Sequence, residues 1–175
     1  MRIISGYLGS RKLFVPANTL KVRPTSDRIR ESMFNIIENL IVIENAYVLD
    51  IFCGTGALGI EAISRGAEFV FFVDKHSGTV QRNIETLGIG NKSEIINADY
   101  RHFLNSEDFK ELNVSIVFAD PPYEFDKYEE LISAISQKKT LFVLEHEKEI
   151  SHLKDMQIRH RKSGRTFTTI YDFRK

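Results

Sequence analysis

The apolar residues of this chain fall into short runs separated by helix-like segments. Five runs have the length and composition of buried strands, at 46–51, 69–73, 94–98, 114–119 and 140–145. Segments with the 3.6-residue spacing of amphipathic helices alternate with them, at about 57–65, 77–87 and 127–137. This alternation predicts an α/β fold whose sheet is mostly parallel and whose crossovers are right-handed.

The two ends of the chain show a different pattern. Residues 2–15 alternate apolar and polar positions around two glycines, which predicts a β-hairpin. An apolar helical stripe follows, and Thr25 or Ser26 is its expected N-cap. The stripe consists of Ile29, Met33, Phe34, Ile36, Ile37 and Leu40. Near the carboxyl terminus, segments 157–163 and 166–173 flank Gly164 and predict a closing hairpin.

Aspartates stand at the carboxyl ends of four predicted strands. Asp74, Asp99 and Asp120 directly follow their strands, and Asp50 is the next-to-last residue of the first strand. Ligands of open α/β sheets bind outside the carboxyl ends of the strands, so we expect the four carboxylates to meet in one site. Any one of them taken alone would also suit a helix cap or the start of a loop.

A glycine-rich loop follows the first strand. The pattern Gly-x-Gly-x-x-Gly occupies positions 54, 56 and 59, between a strand and a helix. The first two glycines let a ligand approach the backbone, and Gly59 allows the helix to pack closely on the strand. Dinucleotide-binding enzymes share this pattern, so the loop alone does not identify the ligand.

Asp50 separates two classes of cofactor. A carboxylate beside the loop would repel a pyrophosphate, yet it suits the ammonium group of a methionine moiety. S-adenosylmethionine carries that ammonium and has no phosphate, so it is the predicted cofactor, with Asp74 on the ribose hydroxyls and Asp99 near the adenine amino group. The predicted cofactor-binding residues are Asp50, Phe52, Cys53, Gly54, Thr55, Gly56, Asp74, Lys75, Asp99 and Tyr100.

The tetrapeptide Asp120-Pro121-Pro122-Tyr123 predicts the reaction. The exocyclic amine of a nucleobase is a poor nucleophile because its lone pair is delocalised into the ring. Asp120 and the Pro121 carbonyl are suited to accept hydrogen bonds from its two N–H groups, and the prolines stiffen the loop. Tyr123 offers a face on which an extruded base can stack. We predict these four residues to be catalytic, although the motif alone would also suit a plain turn.

The charge of the chain is zero overall and unevenly distributed. Residues 1–30 carry a net charge of +6 and residues 152–175 carry +5, whereas residues 31–151 carry −11. This asymmetry predicts a basic face that binds nucleic-acid phosphates. The predicted RNA-binding residues are Arg11, Lys12, Arg23, Thr25, Arg28 and Arg30.

Composition narrows the remaining possibilities. No apolar run approaches the ~20 residues of a membrane span, and the amino terminus lacks a signal-peptide pattern, so we expect a cytoplasmic location. One cysteine excludes an intramolecular disulfide, and the five histidines have no partners at zinc spacing, so we predict no metal. We expect a single domain, 1–175. Residues 1–40 would form an RNA-contacting extension and residues 41–175 the catalytic core. We also expect the protein to be a monomer.

The whole chain resembles the RsmD-type methyltransferases. The resemblance rests on residues 1–6 (MRIISG), 23–35 (RPTSDRIRESMFN), 49–62 (LDIFCGTGALGIEA), 64–67 (SRGA) and 120–123 (DPPY). It implies a class I S-adenosylmethionine-dependent methyltransferase fold, a Rossmann-like seven-stranded, mostly parallel sheet with helices on both faces. It also implies methylation of a guanine N2 amino group in 16S ribosomal RNA of the small ribosomal subunit. Cys53 and Tyr123 stand where family members more often have Ala and Phe.

Two other functions remain open at this point. One is methylation of a DNA adenine or cytosine, or of a protein glutamine, for which the same loop chemistry would serve; Asp at position 120 favours a nucleobase. The other is a protein that binds RNA through this fold without catalysis, because a fold does not establish an activity.

Overall fold

A computed structural model describes residues 1–17 and 27–175 of the chain. Seven strands among these residues form one sheet in the order β3-β2-β1-β4-β5-β7-β6. The strands are β1 Tyr47–Ile51, β2 Phe69–Asp74, β3 Ser93–Asn97, β4 Ile116–Ala119, β5 Leu141–His146, β6 Gln157–Ser163 and β7 Thr166–Asp172. Strands β1 to β5 are parallel to one another, and β7 runs antiparallel to both β5 and β6. The predicted α/β fold, with its mostly parallel sheet, is therefore confirmed.

Helices cover both faces of this sheet. They are α1 Asp27–Glu38, α2 Ala57–Ser64, α3 Gly78–Leu87, α4 Tyr100–Leu104, α5 Glu107–Glu111 and α6 Tyr128–Ile135. Single 3₁₀ turns precede β3 and β6, at Gly90–Lys92 and Lys154–Met156. None of the helices in the described part of the chain has the length and apolar composition needed to cross a membrane.

Each central strand contributes side chains alternately to two apolar cores. On one face, Val48 and Ile116 pack with the residues of α1, α2 and α3. On the other face, Leu49 and Val117 pack with the residues of α4, α5 and α6. Parallel strands buried on both faces read as continuous apolar runs, which is why their positions could be predicted from the sequence.

The short helices α4 and α5 were not predicted. Each is one turn and a fraction long and buries a single residue of its own, Phe103 or Phe109, so no periodic stripe marks it. Their starts are set by side-chain caps, because Asp99 accepts a hydrogen bond from the Arg101 N–H and Ser106 accepts one from the Phe109 N–H. These local caps fold a segment that has no amphipathic pattern.

The amino-terminal hairpin is present in minimal form. Residues 1–13 fold back on themselves with an antiparallel bridge between Arg2 and Lys12. The backbone between these two residues bonds to helix α2 instead of continuing the pairing of a β-hairpin. The Glu61 carboxylate accepts hydrogen bonds from the Ile4 and Ser5 N–H groups at 2.7 and 3.0 Å. Polar side chains of α2 thus anchor this segment to the helix.

Gly6 makes the close approach to α2 possible. It adopts a positive φ of 79°, and a Cβ at this position would lie 1.7 Å from the Ser64 carbonyl oxygen. The next residue, Tyr7, donates its N–H to that same oxygen at 2.9 Å. Helix α1 then follows the hairpin; its predicted N-cap, Thr25 or Ser26, lies outside the described residues.

Candidate active site

A cavity of about 660 Å³ opens at the carboxyl edge of the parallel strands. Nine of the ten predicted cofactor-binding residues line it, together with Asp120 and Pro122 from the predicted catalytic loop. The nine are Asp50, Phe52, Cys53, Gly54, Thr55, Asp74, Lys75, Asp99 and Tyr100. Gly56, the tenth, is buried beneath the loop, where a Cβ would lie 2.6 Å from Val80 Cγ2.

The glycine-rich loop bends tightly over the end of β1. Phe52, Gly54 and Gly56 have φ angles of 60°, 53° and 77° in the left-handed region. Such angles are strained for Phe52 and readily adopted by glycine. Two hydrogen bonds to strand carboxylates fix the loop. Gly54 donates its N–H to Asp74 Oδ2 at 2.9 Å, and Gly59 donates its N–H to Asp50 Oδ2 at 2.9 Å.

Asp50 is a buried carboxyl group in the floor of the cavity. It is 2% exposed, and burial raises its pKa to about 8, with Asp120 and Asp74 adding to the rise and the Gly59 N–H opposing it. The free carboxyl therefore holds a proton near neutral pH. A cationic ligand would supply the missing counter-charge and favour the ionised form.

Asp74 and Asp99 occupy the ends of β2 and β3. Both oxygens of Asp74 are fixed by backbone donors, since Oδ1 accepts from the His76 N–H at 2.8 Å and Oδ2 from Gly54. Asp99 uses Oδ1 to cap α4 through the Arg101 N–H at 2.9 Å. A carboxylate oxygen has two acceptor sites, so each group retains capacity for a ligand.

Three aromatic rings form one wall of the cavity. The centroids of Phe52 and Tyr100 lie 4.8 Å apart, and Phe125 lies 5.3 Å from each of them. Phe125 was not predicted as a site residue. The signal available in the sequence was a lone apolar residue in the otherwise polar segment after Tyr123.

The loop after β4 carries the predicted catalytic residues. Asp120 is an exposed residue at the cavity, and partial desolvation of its carboxyl group there raises its pKa to about 6. The Pro122 carbonyl accepts the Phe125 N–H at 2.8 Å, which closes the loop into a turn. Tyr123 is 44% exposed beside this turn.

Cys53 lies in the glycine loop and is buried. Burial, with Asp50 and Asp74 nearby, raises the pKa of its thiol, so it is a neutral packing residue at the cavity wall. No group of three or more His, Cys, Asp or Glu side chains suited to a metal ion occurs within residues 1–17 and 27–175.

The predicted RNA-binding residues are divided by the structure. Arg11, Lys12 and Arg28 are exposed. Arg23 and Thr25 lie outside the described residues. Exposure alone does not test RNA binding, so the role of these five residues stays a prediction.

Arg30 requires a correction. It is 1% exposed, so it is not part of a basic surface as we expected. Its Nη2 donates to the Arg2 carbonyl and to Asp27 Oδ1, and the residue lies along the cavity. Desolvation lowers the pKa of its guanidinium, and the carboxylates of Asp27 and Glu61 oppose that change. Its spacing of three and four residues from Met33 and Phe34 places it on the buried stripe of α1, a signal that the sequence contained.

Comparison with known proteins gives a consistent result. A family model described as "Conserved hypothetical protein 95" matches residues 1–172. "Ribosomal RNA small subunit methyltransferase D" of Escherichia coli strain K12 is 38% identical over 138 residues, which cover 77% of this chain and 66% of that protein. Its namesake in Haemophilus influenzae is 34% identical over 145 residues, with 81% and 73% of the two chains covered.

A solved structure agrees with these relatives. The Escherichia coli protein yhhF superposes on 98% of this chain and 97% of its own, with 32% identity and a TM-score of 0.84. The predicted Rossmann-like fold class is therefore shown by structure as well as by sequence.

Proposed function

The chain belongs to the family described as conserved hypothetical protein 95, which includes the RsmD-type proteins, and from this premise we propose that it is a methyltransferase acting on ribosomal RNA. The cofactor is S-adenosylmethionine. The acceptor is the N2 amino group of a guanine in 16S ribosomal RNA of the small ribosomal subunit. The observation that carries the proposal is the meeting of Asp50, Asp74, Asp99 and the Asp120 loop at a single cavity.

The cavity suits S-adenosylmethionine in size and charge. Its volume of about 660 Å³ lies within the range of pockets that enclose small-molecule ligands. The buried Asp50 matches the ammonium of the amino-acid part and would oppose the phosphates of a dinucleotide. Asp74 suits the ribose hydroxyls, and the ring wall of Phe52, Tyr100 and Phe125 suits the flat adenine. The bound cofactor would supply an electrophilic methyl group.

The Asp120 loop then prepares the acceptor. The carboxylate of Asp120 accepts one N–H of the amine, and the carbonyl of the adjacent Pro121 accepts the other. Two acceptors in fixed positions hold the nitrogen lone pair out of conjugation with the ring and aim it at the methyl group. Positioning of this kind accounts for most of the acceleration that we expect.

Proton removal follows methyl transfer. The methylated amine is acidic, so it loses its proton to Asp120 or to water without a strong base. Tyr123, which is exposed, would offer a face on which the extruded base can stack. Arg11, Lys12 and Arg28 are exposed on the protein and are available for RNA phosphates.

The primary experiment is transfer of a labelled methyl group from S-adenosylmethionine to three acceptors. These are small ribosomal subunits lacking the modification, naked 16S ribosomal RNA, and DNA, followed by nucleoside analysis of the product. Label in N2-methylguanosine from either RNA substrate is the expected result. Label in DNA would favour the neighbouring enzyme class, and absence of cofactor binding would favour a non-catalytic RNA-binding protein.

Two variants test the assigned roles against each other. Asp120→Ala should abolish most turnover and leave cofactor affinity within a few-fold, because Asp120 contacts the acceptor amine. Asp74→Ala should weaken cofactor binding, because two fixed carboxylate oxygens are lost from the ribose site. Asp108→Ala, an exposed position on α5, is the control and should change neither quantity. Full turnover in Asp120→Ala would remove Asp120 from the mechanism.

A further inference from the structure

The turn of the β6–β7 hairpin lies at the same edge of the sheet as the cavity. Strand β7 is antiparallel to both its neighbours, so β6 runs in the same direction as β5 and its carboxyl end reaches the carboxyl edge. Residues 163 and 166, which flank the turn, pair with each other at that edge. The amino-terminal end of β6 lies at the opposite edge of the sheet.

Three basic side chains are concentrated at this end of the hairpin. Arg161, Lys162 and Arg165 are all exposed, and we refer to them as the hairpin cluster. Within the described residues none of them takes part in a salt bridge. By contrast, Arg174 at the other end of the hairpin is paired with Asp172 at 2.8 Å.

Two members of the cluster contact other side chains, one on α1 and one within the hairpin itself. Arg161 donates through Nη1 to the Ser32 hydroxyl, which ties the hairpin to α1. Lys162 Nζ lies 5.2 Å from the ring centroid of Phe167. Partial fixation of this kind lowers the entropy that these long side chains would lose on binding a ligand.

The strand register gives the distance from the cluster to the catalytic loop. Ala119 pairs with Leu144, so Asp120 is level with Glu145. Glu145 pairs with Thr168, and Thr168 pairs with Arg161. Three strand spacings of ~4.8 Å therefore separate Asp120 from Arg161, a distance of about 14 Å along the edge.

We propose that the hairpin cluster binds RNA phosphates next to the nucleotide whose base enters the cavity. This inference rests on the proposed function, since it concerns the same acceptor. An extruded base leaves its neighbouring phosphates outside the pocket, at its rim. Exposed cations that take part in no described salt bridge lie on the same edge, about 14 Å from the catalytic loop, where they can meet those phosphates.

Basic residues on an edge strand also discourage pairing with other sheets. That role would apply along the whole of β6. Protection of the edge strand would therefore need the basic residues at both ends of the hairpin equally, whereas RNA binding would need those at the cavity end. Charge removal at the two ends separates the two roles.

The test compares two variants that each lose three positive charges. The first is Arg161→Gln/Lys162→Gln/Arg165→Gln at the cavity end. The control is Lys154→Gln/Arg159→Gln/Lys175→Gln, whose residues are also exposed and lie toward the other end. Binding of a fluorescent RNA hairpin with a guanine in its loop is measured over a range of salt concentrations, with S-adenosylhomocysteine affinity and thermal unfolding as checks on folding.

The cavity-end variant should bind RNA at least about tenfold more weakly, and its salt slope should fall by about 2, since each phosphate contact to a single strand contributes ~0.7. The control should lose less than about twofold, and both should keep wild-type affinity for S-adenosylhomocysteine. Equal losses in the two variants, or no loss in the first, would overturn the proposal. Methyl transfer by wild type to the same RNA is measured in parallel, so failure of the proposed function is seen separately from failure of the cluster.

Discussion

Gly59 lies where helix α2 passes directly against strand β2, and replacing it with alanine should destabilise the protein. A Cβ at this position would lie 2.4 Å from Phe72 Cε1 and 2.8 Å from Val70 Cγ1. Both neighbours are fully buried, so neither can move aside without displacing other core residues. Substitution here must therefore shift the helix, the strand or both.

The magnitude follows from two opposing effects. Overpacking a well-filled core costs up to about 3 kcal/mol, and this contact is closer than side chains normally allow. Alanine is favoured over glycine in a helix by about 1 kcal/mol. The expected net loss is about 2 kcal/mol, which for a chain of this length lowers Tm by roughly 4–8 °C.

Cofactor binding should weaken in the same variant. The Gly59 N–H donates to Asp50 Oδ2 at 2.9 Å, so movement of α2 away from the sheet disturbs the carboxyl group in the cavity floor. A hydrogen bond to a charged group contributes about 1.5–3 kcal/mol, and we expect at least a tenfold loss of affinity for S-adenosylhomocysteine.

Thermal unfolding followed by circular dichroism, together with titration calorimetry, measures both effects. Gly78→Ala is the matched control, because it opens α3 and a Cβ there has no neighbour within 4 Å. That variant should be neutral or more stable by about 0.4–1 kcal/mol. Equal unfolding temperatures for the two alanine variants would refute the argument that α2 packs too closely on β2 for any side chain at position 59.

Three further predictions concern charge and backbone geometry. Asp50→Asn should bind S-adenosylhomocysteine more weakly than the wild type does. Its free energy of unfolding relative to that of the wild type should rise with pH. The folded pKa of Asp50, about 8, exceeds the unfolded value of ~4, so the wild type loses stability as the pH rises through that interval. Unfolding at pH 5 and pH 8 checks the sign. Turnover should fall about tenfold per pH unit below about pH 6, where Asp120 takes up a proton; a flat profile of log kcat would contradict its role as an acceptor. Gly6→Ala should lower the denaturant concentration at the midpoint of unfolding, because the added Cβ would overlap the Ser64 carbonyl oxygen. An unchanged midpoint would show that the amino-terminal segment does not need its contact with α2.

Much of the fold could be predicted because burial dominates the local pattern. Strands β1 and β4 are buried on both faces, and β2 is buried on one face and partly buried on the other, so their apolar runs mark them regardless of loops and termini. The acidic residues that follow them converge because parallel strands present their carboxyl ends to one edge. The nine cavity-lining residues in the predicted cofactor site lie at these strand ends or within a few residues of them.

The parts that were missed depend on contacts between segments distant in sequence. Arg30 was assigned to the surface on its charge, whereas its place on the apolar stripe of α1 and its bond to the Arg2 carbonyl bury it. Phe125 joins the site because it contacts Phe52, from the loop after β1, and Tyr100, at the start of α4. The sequence marks Arg30 by its helical spacing and Phe125 as an isolated apolar residue, but the contacts that place both in the site come from segments distant in sequence.

The position of β7 between β5 and β6 has a consequence for biosynthesis. The two strands that flank β7 are both made before it, so the sheet cannot be completed in the order of translation. Until residues 166–172 emerge, one side of β5 presents unpaired backbone groups beside a fully apolar stretch, Leu141–Leu144, a surface on which nascent chains aggregate. The chain is therefore most prone to aggregation in the interval before β7 docks between β5 and β6, whatever the stability of the finished fold.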